Sequence, residues 1–326
     1  MNYSSDPEQE YAEHLFFILR MFRITSYSVT FILGIVGNLL VIWITGFKLK
    51  CISATWFLHL AVTDLILCNI ALPLRMAEWI MISEDWFDGK DLCTFSTSLI
   101  FFNMLTSVYF LTIISIDRCV SVIWPIRSKI HRTPRLAKII SGIVWTVCLM
   151  ITVPYVIIFH FVYEVSDCNS KLSQHKYIDD TSFSPVILIP KLVIMFAVPF
   201  LIISISNGLV AHKLKALRRP VRSQKPLKVI TVVIFFFFVC WCPYGSWPLI
   251  PINIEYWKTD FIIHEICVCL AYFNSCINPI LYVAFSQDFR SNSTLRSLPA
   301  RLKVVLEDRD ETSGETPSIE LCTLPL

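Results

Sequence analysis

Residues 229–254 read VITVVIFFFFVCWCPYGSWPLIPINI, a stretch of 26 residues without a charged side chain. A helix needs about 20 mostly apolar residues to cross a bilayer, because its backbone polar groups must be satisfied within the segment. The sequence therefore predicts a transmembrane helix here. Pro243 predicts a kink within it, because proline removes one backbone hydrogen bond and allows the two halves to swing relative to each other.

Six further stretches have the same character and are free of charge apart from Asp64; they lie at 24–47, 54–74, 92–116, 139–159, 192–211 and 266–287. The whole chain of 326 residues is 55% hydrophobic and 16% charged, whereas soluble domains carry about 25% charged residues. A net charge of only +3 gives no support for nucleic-acid binding. The predicted fold class is an all-α membrane protein, with a seven-transmembrane helix bundle over residues 24–287.

The basic residues predict the orientation of this bundle. The connections at 48–53, 117–138 and 212–228, with the segment from 288, carry 20 of the 28 Lys and Arg residues. The other set, 1–23, 75–91, 160–191 and 255–265, carries 8. Because cytoplasmic loops hold the excess of Lys and Arg, we expect an extracellular N-terminus over 1–23 in a multi-pass plasma-membrane protein. Asn2, in Asn2-Tyr3-Ser4, is a candidate glycosylation site.

The chain beyond the seventh span divides into two predicted segments. Residues 288–306 mix apolar and basic side chains, which favours a short amphipathic eighth helix lying on the inner membrane surface and contacting its lipids. Residues 307–326 are acidic and rich in Ser and Thr, which predicts a disordered cytoplasmic tail.

Two of the twelve cysteines lie at the outer face rather than within a span. Cys93 is at the outer end of the third span, and Cys168 is in the outer loop between the fourth and fifth spans. Both face an oxidising compartment, where disulfides form and persist. We therefore expect a Cys93–Cys168 disulfide.

Polar and motif-forming residues recur within the spans, although a buried polar residue in a membrane is costly and marks function by default. In chain order they are Asn38, Asp64, Asp117-Arg118-Cys119, Trp145, Pro199, Cys240-Trp241-Cys242-Pro243 and Asn278-Pro279-Ile280-Leu281-Tyr282. Together, in this order and on these sides of the membrane, they resemble the rhodopsin-like G-protein-coupled receptors over about residues 25–300.

The resemblance implies a receptor, not an enzyme, that couples to a heterotrimeric G protein and is regulated by receptor kinases and arrestin. Asp117 and Arg118 would then form a local ion pair at the cytoplasmic edge that breaks when the G protein docks; plain snorkelling of Arg118 is the alternative. The residues expected to switch with the bundle are Trp241, Pro243, Asn278, Pro279 and Tyr282.

A buried polar cluster also follows from the resemblance. Asp64, Ser107, Asn274 and Asn278 resemble the family's sodium pocket, in which a cation offsets the carboxylate charge. The alternative is a protonated aspartate held by hydrogen bonds. Both stay open at this point, and no other cofactor is expected.

Finer motifs resemble the chemoattractant group of these receptors, which includes the formyl peptide, anaphylatoxin, chemerin-type and prostaglandin D2 receptors. They are Asp117-Arg118-Cys119, His131-Arg132-Thr133 and Tyr272-Phe273-Asn274-Ser275-Cys276. The group implies an extracellular peptide or anionic lipid ligand and an inhibitory-class G protein. Asn207 stands where many relatives have a tyrosine, which leaves a non-signalling scavenger receptor as the alternative. A transporter is less favoured, because the number of spans is odd and paired acids are missing from the sequence pattern.

The candidate ligand pocket centres on Lys191, a cation near the outer end of the fifth span. Related receptors place a base there to meet an anionic group, although the acid that formyl peptide receptors carry on the third helix is replaced by Phe101. Snorkelling, or pairing with Asp179 or Asp180, is the alternative for Lys191. The expected apolar walls come from Phe101, Phe102, Met104, Tyr244, Trp247 and Tyr272.

Overall fold

The computed structural model describes residues 7–48, 52–81, 89–162, 185–216, 225–247 and 257–285. The secondary structure in these ranges is helical throughout. The α-helices, in chain order, are α1 (Pro7–Trp43), α2 (Ile52–Ile66), α3 (Leu72–Met81), α4 (Gly89–Ile123), α5 (Pro125–His131), α6 (Pro134–Val162), α7 (Pro185–Leu192), α8 (Val198–Ala216), α9 (Lys225–Ser246) and α10 (Trp257–Phe285).

The predicted fold class is confirmed, because apolar helices occupy all seven predicted spans. Six helical segments of the described chain are long and apolar enough to cross a membrane: His14–Phe47, Ile52–Ala77, Thr94–Ile123, Pro134–Ile157, Ile189–Ala216 and Phe261–Leu281. The sixth span in chain order is represented by the shorter apolar helix Ile230–Ser246. The predicted eighth helix at 288–306 and the tail at 307–326 lie outside the described residues.

Two of the spans contain a π-helical turn just before a proline. The second span runs through Leu67–Ala71 before Pro73, and the fifth runs through Val193–Ala197 before Pro199. A proline lacks the N–H donor and its ring presses on the carbonyl four residues earlier. A wider turn at that carbonyl relieves the crowding, so α2 and α3 form one span, as do α7 and α8.

The first helix begins at Pro7, well before the charge-free stretch that starts at residue 24. A helix of 37 residues is about 55 Å long, so its N-terminal end extends beyond the hydrocarbon thickness of about 30 Å. The ring of Phe16 on this N-terminal part packs edge-on against Phe261 of α10, with centroids 5.4 Å apart. Part of the predicted N-terminal segment is therefore a continuation of the first span.

The third span, α4, lies at the centre of the bundle and contacts α2, α3, α6, α8 and α9. Its core side chains are completely buried, including Met104, Leu105 and Phe110. Large apolar side chains on the outward faces of other helices, such as Val36 and Met150, are well exposed. Apolar residues on both the inside and the outside are what a helix bundle surrounded by lipid requires.

Candidate ligand pocket and buried polar contacts

The Lys191 side chain lies among aromatic groups from three other helices. Its Nζ atom donates a hydrogen bond to the Tyr155 hydroxyl at 3.3 Å. It is also 5.3 Å from the ring centroid of Tyr155, 5.8 Å from that of Phe101 and 6.0 Å from that of Tyr244. We call Phe101, Tyr155 and Tyr244 the aromatic cage of Lys191. Cation–π contacts of this length stabilise the ammonium by about 0.5–2 kcal/mol each, depending on solvation.

The cage is held together by stacking between the third and fourth spans. The rings of Phe101 and Tyr155 are nearly parallel, with an interplanar angle of 5° and centroids 4.0 Å apart. Tyr155 was not among the residues predicted from the sequence. The available signal was a tyrosine directly after Pro154, near the outer end of an otherwise apolar span.

In the described part of the chain, the charge of Lys191 is met by π faces and a hydroxyl. Within the ranges that the structure describes, no carboxylate pairs with its ammonium. Asp179 and Asp180, the alternative partners predicted from the sequence, lie outside those ranges. The cage can therefore accept an additional anionic group next to Lys191.

Some of the predicted pocket residues belong to the cage or adjoin it, whereas others make their contacts elsewhere in the bundle. Tyr244 contacts Trp241, whose ring centroid is 6.1 Å away, and Trp241 is fully buried against Phe237. This chain of contacts runs from Lys191 to the helix turn that contains Pro243. Trp247 instead contacts His264 of α10 at 6.0 Å, and Tyr272 packs edge-on against Tyr27 of α1 at 5.0 Å. Met104 is buried in the core.

Asp64 lies at the centre of a buried amide network. Its Oδ1 atom accepts a hydrogen bond from Asn103 Nδ2 and its Oδ2 atom accepts one from Asn278 Nδ2, both at 3.0 Å. Asn103 is a partner that the sequence did not point to. Both oxygens of Asp64 therefore accept hydrogen bonds from side-chain amides.

The oxygen atoms of this network are suitable ligands for a small hard cation. Ser107 Oγ and Asn103 Oδ1 are buried oxygens without a hydrogen-bond partner in the described part of the chain. Carbonyl, hydroxyl and carboxylate oxygens are the ligands that hard cations prefer. Asn274 is the other predicted member of the network. Its Nδ2 donor is buried and has no hydrogen-bond partner among the described residues.

The Asp117 carboxylate near the C-terminal end of α4 has a partner that the sequence did not predict. Arg132, which follows α5, donates from Nε to Asp117 Oδ1 at 2.7 Å and from Nη2 to Oδ2. Ser53 at the start of α2 accepts from Arg132 and donates to Asp117 Oδ2 at 3.3 Å. The expected neighbour Arg118 is partly buried. Arg132 is 15 residues away in sequence, so only the path of α5 brings it back to Asp117.

The first and last spans meet closely around two predicted motif residues. Asn38 Nδ2 donates to the Ser275 carbonyl at 2.8 Å. Pro279 lies against Gly37, where an added Cβ would be 2.7 Å from the proline Cβ. Four predicted positions lie outside what the structure describes: the side chains of Cys93 and Tyr282, and all of Asn2 and Cys168.

Comparisons with known proteins agree with this arrangement. Residues 37–282 match the family described as "7 transmembrane receptor (rhodopsin family)". Chemerin-like receptor 1 of Sus scrofa is 35% identical over 84% of this chain and 79% of its own length. C3a anaphylatoxin chemotactic receptor of Oncorhynchus mykiss is 34% identical over 86% and 78%. N-formyl peptide receptor 3 of Homo sapiens is 32% identical over 89% and 86%. The chain therefore belongs to the rhodopsin family of seven-transmembrane receptors, within its chemoattractant group.

Proposed function

We propose that this protein is a cell-surface receptor that binds an extracellular ligand through an anionic group placed beside Lys191, and in response activates an inhibitory-class heterotrimeric G protein. The observation that carries the proposal is the ammonium of Lys191 inside an aromatic cage, where no described carboxylate pairs with it. An intramembrane cation of this kind is by default part of a functional site.

The names of the relatives favour a peptide over a lipid ligand. They refer to chemerin, to the C3a anaphylatoxin and to N-formyl peptides. A peptide supplies the required anionic group as its C-terminal carboxylate or as an acidic side chain. An anionic lipid remains the second class of ligand to be tested.

The contacts below the cage offer a route for the signal. Tyr244, which belongs to the cage, touches Trp241, and Trp241 is two residues before Pro243. A ligand that displaces Lys191 or Tyr244 would press on the helix near Pro243, where the missing backbone hydrogen bond lowers the resistance to bending. The inner half of α9 would then move away from Arg118 and open a cleft for the G protein. Kinases and arrestin would act later on the tail at 307–326.

The ligand part is tested with a panel of peptides and lipids, each compared with its methyl ester. Loss of a desolvated charge pair costs about 2–5 kcal/mol, so Lys191→Ala should weaken an anionic agonist by about thirtyfold or more. Lys191→Arg should retain part of the affinity. Esterification should weaken binding to the wild type and add little in Lys191→Ala. Lys213→Ala, at the cytoplasmic end of α8, is the matched control and should bind normally. If the affinity lost on Lys191→Ala and the affinity lost on esterification add, Lys191 is not the partner of the anion.

The coupling part is tested with purified receptor and G protein in nanodiscs. Arg118→Ala should abolish ligand-stimulated nucleotide exchange while ligand affinity is retained, because Arg118 is near the C-terminal end of α4, the end that we expect to face the cytoplasm. Wild-type receptor that binds ligand but never stimulates exchange would contradict G-protein coupling and support the scavenger alternative suggested by Asn207.

We also propose that the Asp64 network binds sodium. Asp64, Asn103 and Ser107 would supply the oxygens, and the ion would offset the buried carboxylate charge. The test is the thermal unfolding midpoint in sodium and in a large organic cation at equal ionic strength. Sodium should raise the midpoint of the wild type but leave that of Asp64→Asn unchanged; an equal response of both contradicts the site.

A further inference from the structure

Arg23 of α1 and Glu265 of α10 form an ion pair buried between the two helices. Arg23 is 7% exposed and Glu265 is 2% exposed. In the sequence both residues fall at the ends of outer segments, 1–23 and 255–265, where charges ordinarily face water. The helical extension of α1 instead encloses them in the interface.

The pair is one of several contacts between α1 and α10. Phe16 and Phe261 pack edge-on on its outer side, and Tyr27 and Tyr272 do so on its inner side. Still deeper, Asn38 donates to the Ser275 carbonyl. The two helices therefore touch along most of their shared length, and the ion pair is a charged contact between two aromatic ones.

The energetics of a buried ion pair argue for a role in geometry rather than in stability. The desolvation of two charges offsets most of their attraction, and apolar replacements of both partners are often equally or more stable. Removal of one partner is costly, because the other charge is left buried and unpaired. A slip of one helical turn, about 5 Å along the axis, would break this pair, whereas apolar side chains could repack. The pair therefore specifies one register between the helices.

The register matters because α10 contacts the sixth span near one end and the Asp64 network near the other. His264, next to Glu265, contacts Trp247 at the outer end of the sixth span, and its Nδ1 atom is 3.9 Å from Glu265 Oε1. Asn278, about 20 Å further along the same helix, donates to Asp64. A displacement of the outer half of α10 would therefore change the contact of His264 with Trp247 and that of Asn278 with Asp64.

We propose that Arg23 and Glu265 are a positioning pair, which holds the outer half of α10 on α1 and so maintains the resting arrangement of the bundle. The signalling consequence rests on the proposed function, whereas the positional role does not. For that reason the experiment reads position and signalling separately.

Position is measured as the distance distribution between spin labels on two exposed residues of the paired helices, Phe17 on α1 and Ile263 on α10. Signalling is read as nucleotide exchange on the G protein without ligand, with full-length receptor in nanodiscs. The variants are Arg23→Met, Glu265→Leu, the double Arg23→Met/Glu265→Leu and the charge reversal Arg23→Glu/Glu265→Arg. The matched control is Phe16→Leu/Phe261→Leu, which weakens the neighbouring aromatic contact without removing charge.

Each single variant should lower the thermal unfolding midpoint, and the double variant should recover it. The double variant should nevertheless show a broader distance distribution than the wild type. Its exchange without ligand should rise roughly fivefold, the change produced by the loss of about 1 kcal/mol of bias toward the resting state. The charge reversal should restore both readouts, and the aromatic control should leave them unchanged.

A double variant with the wild-type distance distribution and wild-type exchange would overturn the proposal, because the pair would then be a replaceable packing contact. A broadened distribution with unchanged exchange, in a receptor that does respond to ligand, would overturn the resting-state role. If no variant signals at all while the distribution broadens, the proposed function fails and the positional role stands. If the double variant does not fold, the charge-reversal variant provides the test. Failure of that variant to restore the wild-type distance distribution would overturn the positioning role of the pair.

Discussion

At the scale of single residues, Phe101 shows how one side chain sets the charge of a pocket. Its ring stacks on Tyr155 and lies within 6 Å of Lys191 Nζ. An acid at this position would be close enough to neutralise the ammonium. With phenylalanine there, the cation is stabilised by π faces and remains able to attract an anion from outside.

Phe101→Asp should therefore lower the affinity for anionic agonists by tenfold or more, about 1.4 kcal/mol, because the new carboxylate would compete with the ligand for Lys191. Phe101→Asn is the control of equal size without charge and should lose only the cation–π and stacking contributions. Radioligand competition measures both. Equal losses in the two variants would show that packing, not charge, determines the effect of residue 101.

At the scale of helices, α1 and α10 approach each other closely at Gly37. An added Cβ would lie 2.7 Å from Pro279 Cβ and 2.9 Å from its Cγ, and a proline ring cannot move aside as a flexible side chain can. At Gly142 of α6, in contrast, nothing lies within 4 Å of such an atom. The two glycines thus offer a matched pair of helix positions.

Gly37→Ala should destabilise the receptor by about 1–3 kcal/mol, the usual cost of forcing an extra carbon into a packed interface. Gly142→Ala should be neutral or slightly stabilising, since alanine is the better helix former. The thermal unfolding midpoint in detergent measures both. Equal midpoints for the two variants would mean that α1 and α10 can separate without cost at this level.

The short helix α5 depends on its ties to the bundle. It has seven residues, too few to be stable alone. Arg132 holds its end on Asp117 and Ser53, and Ser128 lies 3.4 Å from Ser121 of α4. The conformation of the segment between the third and fourth spans is therefore set by contacts with α2 and α4.

Arg132→Ala should increase amide hydrogen exchange over residues 125–131 and leave ligand affinity unchanged. The loss of charged hydrogen bonds of about 1.5–3 kcal/mol is large compared with the stability of so short a helix. Arg135→Ala, an exposed arginine three residues further on, is the control. Unchanged exchange in Arg132→Ala would show that other contacts order the helix.

At the scale of the whole molecule, one covalent link is expected to hold the outer face. The predicted Cys93–Cys168 bond would tie the second outer loop to the third span. Mass spectrometry of unreduced digests should find the two cysteines in one cross-linked peptide, not as free thiols. Cys93→Ser, Cys168→Ser and the double variant should lower the unfolding midpoint equally, because each removes the same bond. Cys242→Ser, at an exposed free cysteine of α9, is the control and should change it little.

The sequence by itself determined the seven spans, their number and the family. Hydropathy suffices because a membrane accepts only segments that satisfy their own backbone hydrogen bonds. The sequence also indicated Lys191, Asp64 and Asn278 as functional candidates, because polar residues within apolar spans are costly and therefore stand out.

Tertiary structure alone decided which side chains serve as partners. Tyr155 joins Lys191 from 36 residues away, Asn103 joins Asp64 from 39 residues away, and Arg132 returns to Asp117 across α5. The sequence alone indicates that Arg23 and Glu265 are ordinary charges of outer segments. In the structure they form an ion pair enclosed by the extended α1. Hydropathy is a sum over neighbouring residues, so it can locate a helix. A pairwise contact depends on the rotation and register of two helices, which are set only when the bundle packs.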